Sequence, residues 1–257
     1  MKLFYRKYGQ GSVPVFILHG LFGQSDNWQT IAKVLAEKNK EVYVVDQRNH
    51  GLSPHSEIFN YQVMSADLDE LISGLGFDKV SLIGHSMGGK TALKFAADFS
   101  EKISSLIIAD IAPRYYPPHH QEIIFALQSL DFKIVKTRKD AESILSDRIP
   151  DSGTLQFLLK NLFWETDTRL SWRFNLRAIA ENIDEVGKAI GFGQTYSDQN
   201  FSTIFLRGEN SSYINETDLL LIHKTFPDAH IKTIPFAGHW LHADHPKGFL
   251  EAVLNFI

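Results

Sequence analysis

Cysteine is absent from the 257 residues of this chain. Its absence excludes disulfide bonds, thiolate nucleophiles, cysteine-based zinc sites and cysteine-ligated iron–sulfur clusters. Long hydrophobic runs are absent too: none approaches the roughly 18 residues that a membrane-spanning helix needs, and the first residues contain no stretch suited to a signal peptide. We therefore expect a cytoplasmic protein without a membrane partner, whose chemistry uses oxygen and nitrogen groups.

An excess of positive charge is also missing, because 26 Lys and Arg residues stand against 30 Asp and Glu residues, a formal net charge of −4. Non-specific nucleic-acid binding needs a clustered basic surface, so we expect no nucleic-acid partner. Hydrophobic residues make up 44% of the chain, which is ordinary for a globular protein. A chain of this length can form one large domain or two small ones.

Short apolar runs alternate with longer helical patterns in the first part of the chain. The predicted strands, including two late ones, are Val15–Leu18, Val42–Val45, Val80–Ile83, Leu106–Ala109, Thr203–Leu206 and His230–Ile234. Apolar residues at three- and four-residue spacing predict helices over Trp28–Glu37, Tyr61–Leu75 and Met87–Phe99. Continuous apolar runs suit strands covered on both faces, so the pattern predicts an α/β fold with a mainly parallel central sheet and helices on both faces.

This alternation stops after Pro113. From Gln121 to Ile190 the patterns are all helical, strand patterns return near residue 203, and a last helix is predicted to begin near Pro246. We therefore predict a catalytic core made of residues 1–112 and 201–257. Residues 113–200 are predicted to form a helical cap, inserted over the carboxyl ends of the strands.

The most specific motif is Gly84–Gly88, which reads Gly-His-Ser-Met-Gly. It lies directly after a predicted strand and directly before a predicted helix, which is the context that a nucleophilic serine needs. The flanking glycines give steric clearance to a strained turn, and the helix N-terminus favours developing negative charge. The motif predicts that Ser86 is a nucleophile.

A serine hydroxyl needs a base, and position must select one among 11 histidines. His239 follows the strand His230–Ile234 and therefore lies at the same edge of the sheet as Ser86. We expect His85 to point elsewhere and His19 to support the first loop. The series His239, His242 and His245 can also be interpreted as a metal site, although Gly238 and Pro246 argue against a regular helix there and no carboxylate completes a zinc motif.

The base in turn needs an acid that orients it. Asp110 and Glu209 each follow a predicted strand at the carboxyl edge, and the residues alone leave both open. Asp46 also ends a strand, but we expect it to pair with Arg48 and to shape a turn. For the oxyanion hole, the loop His19–Gly23 is able to aim the backbone N–H of Leu21 beside that of Met87; a plain glycine turn fits this loop equally well.

These segments, in this order, resemble the α/β-hydrolase family. The segments that carry the resemblance are His19–Gly23, Asp46–Gly51, Gly84–Lys90 and Ala237–Trp240. Four segments are similar to YbfF-type bacterial esterases, namely Arg48–Ser53, Gly88–Lys90, Asp110–Pro113 and Trp172–Asn175. The resemblance covers essentially the whole chain, and the predicted insertion matches the cap of the family.

The resemblance also bears on the acid. Family members usually place it in a Gly-x-x-Asp stretch after the penultimate strand, and the matching position here is Ser211, which cannot be anionic. YbfF-type enzymes place the acid one strand earlier, so the resemblance favours Asp110, with Glu209 as the rival. It implies a catalytic triad of Ser86, Asp110 and His239 without cofactor or metal.

We therefore expect a serine hydrolase that cleaves carboxylic esters through an acyl-enzyme. The resemblance implies short-to-medium acyl chains, with acyl-CoA thioesters as a further substrate class. Apolar cap residues suggest an acyl pocket, which Trp240 is expected to line, while a place in the core fits Trp240 equally well. Dehalogenases and epoxide hydrolases use Asp at the position of Ser86, whereas C–C bond hydrolases, cofactor-free haloperoxidases and a ligand-binding receptor with a slow or inactive triad stay open.

Overall fold

The computed structural model describes residues 1–191 and 201–257. Its main sheet has seven strands in these ranges, β1 (Tyr5–Tyr8), β2 (Pro14–Leu18), β3 (Glu41–Val45), β4 (Val80–His85), β5 (Ile103–Ala109), β8 (Ser202–Gly208) and β9 (His230–Ile234). They are ordered β1-β3-β2-β4-β5-β8-β9 across the sheet. Only β1 is antiparallel to its neighbour, so the predicted mainly parallel sheet is confirmed.

Helices cover both faces of this sheet, as predicted. They are α1 (Gln29–Glu37), α2 (Tyr61–Gly74), α3 (Met87–Asp98), α4 (Gln121–Gln128), α5 (Arg138–Ser146), α6 (Ser152–Leu159), α7 (Leu176–Glu181), α8 (Ile183–Gly187), α9 (Glu216–Thr225), α10 (Leu241–Asp244) and α11 (Pro246–Leu254), with 3-10 turns at Ser25–Trp28 and Ser100–Lys102. None of these helices is long and apolar enough to cross a membrane, as far as the described ranges extend.

Strand β2 shows why the apolar runs are continuous. Phe16 and Leu18 pack on one face of the sheet with residues of α2 and α3, whereas Val15 and Ile17 pack on the other face with residues of α1 and α11. Successive side chains of a strand point to opposite faces, so a strand buried on both faces needs an apolar residue at every position. The carboxyl ends of such parallel strands meet at one edge of the sheet.

Two elements differ from the predictions. Strand β1 was not predicted, since its short segment carries mostly polar residues and pairs at the sheet edge. The interpretation of residues 121–190 as all helical is wrong at the hairpin of β6 (Leu162–Thr166) and β7 (Arg169–Trp172). In β7 the buried residues Leu170 and Trp172 alternate with more exposed ones, and this two-residue period belongs to a strand.

The described part of the predicted cap lies between β5 and β8, and we call residues 113–191 the insertion. It contains α4 to α8 and the hairpin, and its buried residues continue the core cluster on the α2 and α3 side of the sheet. Residues 192–200 of the predicted cap lie outside the described residues. The division into a core and a cap stays a prediction.

Candidate active site

The turn after β4 holds Ser86 in an unusual backbone conformation, with φ 53° and ψ −118°. A positive φ is strained for a residue with a side chain, and such strain is concentrated at functional sites. The flanking glycines permit the turn: a Cβ on Gly84 would lie 2.4 Å from the carbonyl oxygen of Gly88, and one on Gly88 would lie 2.3 Å from that of Leu18. Any larger residue at either position would push α3 away from the sheet.

This turn places Ser86 at the start of α3 and beside the end of β5. The Ser86 N–H donates to the carbonyl oxygen of Ala109 at 3.0 Å, which fixes the turn against the neighbouring strand. The Ser86 hydroxyl makes no hydrogen bond to any residue that the structure describes. In enzymes without bound substrate, the bond between nucleophile and base is often long and tightens only in the complex.

Asp110 follows β5 directly and has a fully buried side chain. Its Oδ1 accepts a hydrogen bond from the Gly208 N–H at 3.0 Å, and its Oδ2 accepts one from the Ser211 hydroxyl. Its Oδ2 also lies 2.8 Å from His239 Nδ1. An ionised Asp110 therefore keeps the His239 proton on Nδ1, which leaves Nε2 as a hydrogen-bond acceptor.

The His239 ring is held from two further directions. The Tyr213 ring stacks on it, with centroids 3.7 Å apart and planes 14° apart. His85 Nε2 donates to the His239 carbonyl oxygen at 2.7 Å, so His85 supports the backbone of the loop that carries His239. The imidazole keeps partial exposure, with 24% of its side chain accessible.

The other two carboxylates at this edge lie elsewhere. Glu209 is exposed, and its Oε2 accepts from the Phe236 N–H at 2.8 Å. Asp46 accepts from the backbone N–H groups of Ser25 and Leu52, and it shapes the turn that contains Gly51 as expected. Its predicted pairing with Arg48 is wrong, because the Arg48 guanidinium instead pairs with Asp67 at 2.6 Å.

The loop after β2 passes directly beside Ser86, since a Cβ on Gly20 would lie 3.3 Å from the Ser86 Cβ. Its Phe22 N–H donates to His50 Nε2 at 3.1 Å, and its Gly23 N–H donates to the Gly20 carbonyl oxygen at 2.9 Å. Neither the Leu21 N–H nor the Met87 N–H, the two predicted oxyanion donors, donates to another described residue.

Two buried histidines hold this loop. His19 Nε2 accepts from the Gln47 N–H, and its Nδ1 donates to the Gly20 carbonyl oxygen. Burial lowers the pKa of His19 to about 4. Burial and the neighbouring His19 lower the pKa of His50 to about 3. Both imidazoles are therefore neutral acceptors near neutral pH. The sequence analysis predicted that His19 supports this loop, but it did not predict the same role for His50. The position of His50 in the loop after β3 could have indicated that role.

Three further residues considered from the sequence, Trp240, His242 and His245, contact residues other than Ser86. The Trp240 ring lies 5.4 Å from the Phe157 ring, against α6 of the insertion. His242 stacks on Trp28 at 3.8 Å, and His245 Nδ1 caps α11 by accepting from the Gly248 N–H. Within residues 1–191 and 201–257, no group of His, Asp and Glu side chains could hold a metal ion.

A cleft opens next to Ser86, between α3 and the insertion. Its lining includes Ser86, Lys90, Ile111, Tyr116, Val186 and Tyr213. The lining is mainly aliphatic and aromatic. Tyr213 is a lining residue that the sequence did not single out, whereas Lys90 was noted as part of the Gly88–Lys90 segment but not as a residue of the site.

A strained serine after a parallel strand and a buried carboxylate on the imidazole of a later loop are features of serine hydrolases built on open α/β sheets. A family model for the alpha/beta hydrolase fold matches residues 13–246. The chain belongs to this family, which confirms the resemblance and the fold class predicted from the sequence.

The chain is also similar to individual esterases and a lipase. The chain is 38% identical to the sn-1-specific diacylglycerol lipase ABHD11 of Mus musculus over 97% of this chain and 82% of the relative. It is 34% identical to the esterase YbfF of Escherichia coli over 95% of this chain and 92% of the relative. A solved structure of a marine microorganism esterase has a TM-score of 0.95 and 43% identity, covering 100% of this chain and 99% of the other. These relatives support the predicted class of carboxylic ester hydrolase.

Proposed function

We propose that this chain is a serine esterase that hydrolyses carboxylic esters through an acyl-enzyme intermediate. The observation that carries the proposal is the 2.8 Å contact between His239 Nδ1 and the buried Asp110, beside the strained turn of Ser86. This contact leaves His239 Nε2 free to accept a proton, as a general base requires. The names of the similar proteins, esterases and a lipase, favour the same chemistry.

In the first half of the reaction, the Ser86 hydroxyl attacks the acyl carbon while His239 Nε2 takes its proton. The backbone N–H groups of Leu21 and Met87 stabilise the oxyanion of the tetrahedral intermediate, and a single donor of this kind typically contributes 10²- to 10³-fold in rate. Asp110 stabilises the imidazolium that forms. The protonated His239 then gives its proton to the departing alcohol or thiol.

In the second half, water attacks the acyl-enzyme. His239 removes a proton from this water, the same N–H groups stabilise the second tetrahedral intermediate, and Ser86 leaves with the proton returned by His239. The products are a carboxylic acid and the free enzyme. Every step uses side chains and backbone groups of this chain, without a cofactor or metal.

The proposed substrate is a small-molecule ester with a short-to-medium acyl chain, or the corresponding acyl-CoA thioester. The mainly apolar lining of the cleft suits a hydrocarbon chain. We further propose that residues 113–200 act as the cap over this site, with Trp240 facing the insertion. The cytoplasmic location expected from the sequence stays a prediction.

The test is labelling and turnover of Ser86→Ala. We expect a fluorophosphonate to label the wild type covalently, and Ser86→Ala to lose both labelling and p-nitrophenyl ester turnover, by about 10⁶-fold for a nucleophile of this kind. Ser143→Ala, on the exposed face of α5, is the control and should behave as the wild type. An unlabelled wild type would favour a ligand-binding receptor and contradict the proposal.

A further inference from the structure

Lys90 is a charged side chain that the proposed reaction does not use. It lies on α3 one turn after Ser86, and its N–H donates to the Ser86 carbonyl oxygen at 3.1 Å. Only 1% of Lys90 is exposed, although it borders the cleft. Burying an ammonium is unfavourable unless its donors are satisfied, so its partners indicate what it does.

The Lys90 ammonium donates to three backbone carbonyl oxygens. They belong to Arg114 at 3.0 Å, Gly187 at 2.8 Å and Lys188 at 2.5 Å. An ammonium has three N–H donors, and all of them are used here. Lys90 therefore has no donor left for a substrate group and cannot act as its ligand.

These carbonyl groups come from the two ends of the insertion. Arg114 lies where the chain leaves β5, whereas Gly187 and Lys188 lie at the end of α8. Val186 and Gly187 line the cleft opposite the nucleophile helix, and we call Val186–Lys188 the cleft wall. Lys90 thus joins the helix that follows Ser86 to the cleft wall.

Further contacts make the cleft wall one unit with its surroundings. The Tyr61 hydroxyl donates to the Val186 carbonyl oxygen at 2.7 Å, and the Tyr116 N–H donates to that of Gly187 at 2.8 Å. A Cβ on Gly187 would lie 2.1 Å from the Tyr116 carbonyl oxygen, so the two segments are in direct backbone contact. The wall has little freedom while these bonds persist.

The surroundings of Lys90 are aromatic rather than anionic. Its Nζ lies 4.8 Å from the ring centroid of Tyr116 and 5.9 Å from that of Tyr61. Burial and the nearby Arg114 lower the pKa of Lys90 to about 7. The carboxylate of Asp218 pairs with the Arg114 guanidinium at 2.7 Å and not with Lys90. The acceptors of Lys90 are therefore the backbone carbonyl groups.

We propose that Lys90 is a positioning residue that sets the acyl-chain selectivity of the cleft by holding the cleft wall at a fixed place relative to Ser86. This inference rests on the proposed esterase function. A longer acyl chain reaches the wall and depends on its position, whereas an acetyl group stays beside the serine. Loosening the wall therefore weakens the binding of longer chains more than that of acetate.

The experiment compares p-nitrophenyl acetate with p-nitrophenyl hexanoate in Lys90→Met, which keeps the length of the side chain and removes its donors. We expect the hexanoate-to-acetate ratio of kcat/KM to fall about tenfold, the size of one pocket methylene contact, mainly through a higher KM for hexanoate. Lys94→Met removes a lysine from the same helix that pairs with Asp98 instead, and it should leave the ratio unchanged.

A milder variant keeps the inference testable if Lys90→Met does not fold. Tyr61→Phe removes only the hydroxyl that holds Val186, and it should lower the ratio in the same direction by about threefold. Equal losses on both esters, or a lower melting temperature with an unchanged ratio, would overturn the inference. A wild type that hydrolyses neither ester defeats the proposed function as well, whereas an active wild type with unchanged ratios in both variants defeats this inference alone.

Discussion

The carboxyl edge of the sheet and the insertion above it are held in position by different proportions of hydrogen bonding and apolar packing. At the edge, the buried Asp110, His19 and His50 are each fixed by hydrogen bonds with named backbone or side-chain partners. The insertion is held at its two ends by the hydrogen bonds of Lys90, but much of its body packs through apolar residues such as Leu159, and its hairpin leaves Trp164 55% exposed.

Hydrogen bonds and apolar contacts position atoms with different precision. Hydrogen bonds depend steeply on distance and angle, so they fix single atoms such as His239 Nδ1. Apolar contacts are less directional and tolerate volume-conserving substitutions. We therefore expect substitutions at the edge to change the rate of the reaction, and substitutions in the insertion to change selectivity or little at all.

The largest effect is expected for Asp110→Asn. The amide cannot stabilise the imidazolium and favours the wrong tautomer of His239, so kcat should fall about 10⁴-fold, as in the best-studied triad. The measurement is p-nitrophenyl ester turnover at saturating substrate. Glu209→Gln is the matched control and should stay within about threefold of the wild type, because its exposed carboxylate contacts a backbone N–H. Similar small losses in both variants would contradict the assignment of Asp110.

Glycines in close backbone contact at the edge should tolerate substitution nearly as poorly as the side chains of the site. Gly88→Ala places a Cβ 2.3 Å from the carbonyl oxygen of Leu18, so we expect the free energy of unfolding to fall by about 3 kcal/mol. Urea denaturation measures this loss. Gly74→Ala in α2 meets no atom within 4 Å and should be neutral or slightly stabilising. Equal stabilities of the two variants would show that the close contact is not needed.

Acidification should destabilise the folded chain through the buried histidines at the edge. The pKa of His19 is about 4 and that of His50 about 3 in the folded protein, below the ordinary value of 6.5. The unfolded chain therefore binds more protons below pH 6.5, and stability falls as the pH falls towards these folded values. Each histidine should contribute a loss of about 2 kcal/mol between neutral pH and about pH 5.

The variant His50→Gln isolates one of these contributions. It keeps a side-chain acceptor for the Phe22 N–H but cannot titrate, so its stability should depend less on pH by about 2 kcal/mol over the same interval. Denaturation curves of the wild type and the variant at both pH values give the difference. An unchanged pH dependence would mean that protonation of His50 does not limit stability.

The smallest effect is expected on the surface of the insertion. Trp164→Ser replaces an exposed side chain of the hairpin, and both the free energy of unfolding and kcat should stay close to the wild type, within about 0.5 kcal/mol for stability. Leu159→Ala, buried in the same insertion, should by contrast lose about 3 kcal/mol. A large loss of activity in Trp164→Ser would show that the hairpin contributes to the reaction.

Much of the fold could be predicted because buried strands and amphipathic helices leave local periodic patterns. The parallel strands, α1 to α3 and the position of Ser86 follow from such patterns and from a five-residue motif. The hairpin of β6 and β7 could not, since its short strands carry exposed residues such as Trp164 that obscure the period. The site was predicted as candidates at strand ends: the residues alone left Asp110 and Glu209 both open, and the family resemblance favoured Asp110.

Local patterns are enough to define the chemical type of this protein: an α/β sheet, a serine in a strand–turn–helix context, and an absence of cysteine that requires oxygen and nitrogen chemistry. Which side chains meet depends on the folded chain, which brings Asp110 to His239 and Ser211, and Lys90 to the two ends of the insertion. The physical reason is that local patterns depend on neighbouring residues, whereas a contact between residues 129 positions apart depends on how the strands are ordered in the sheet.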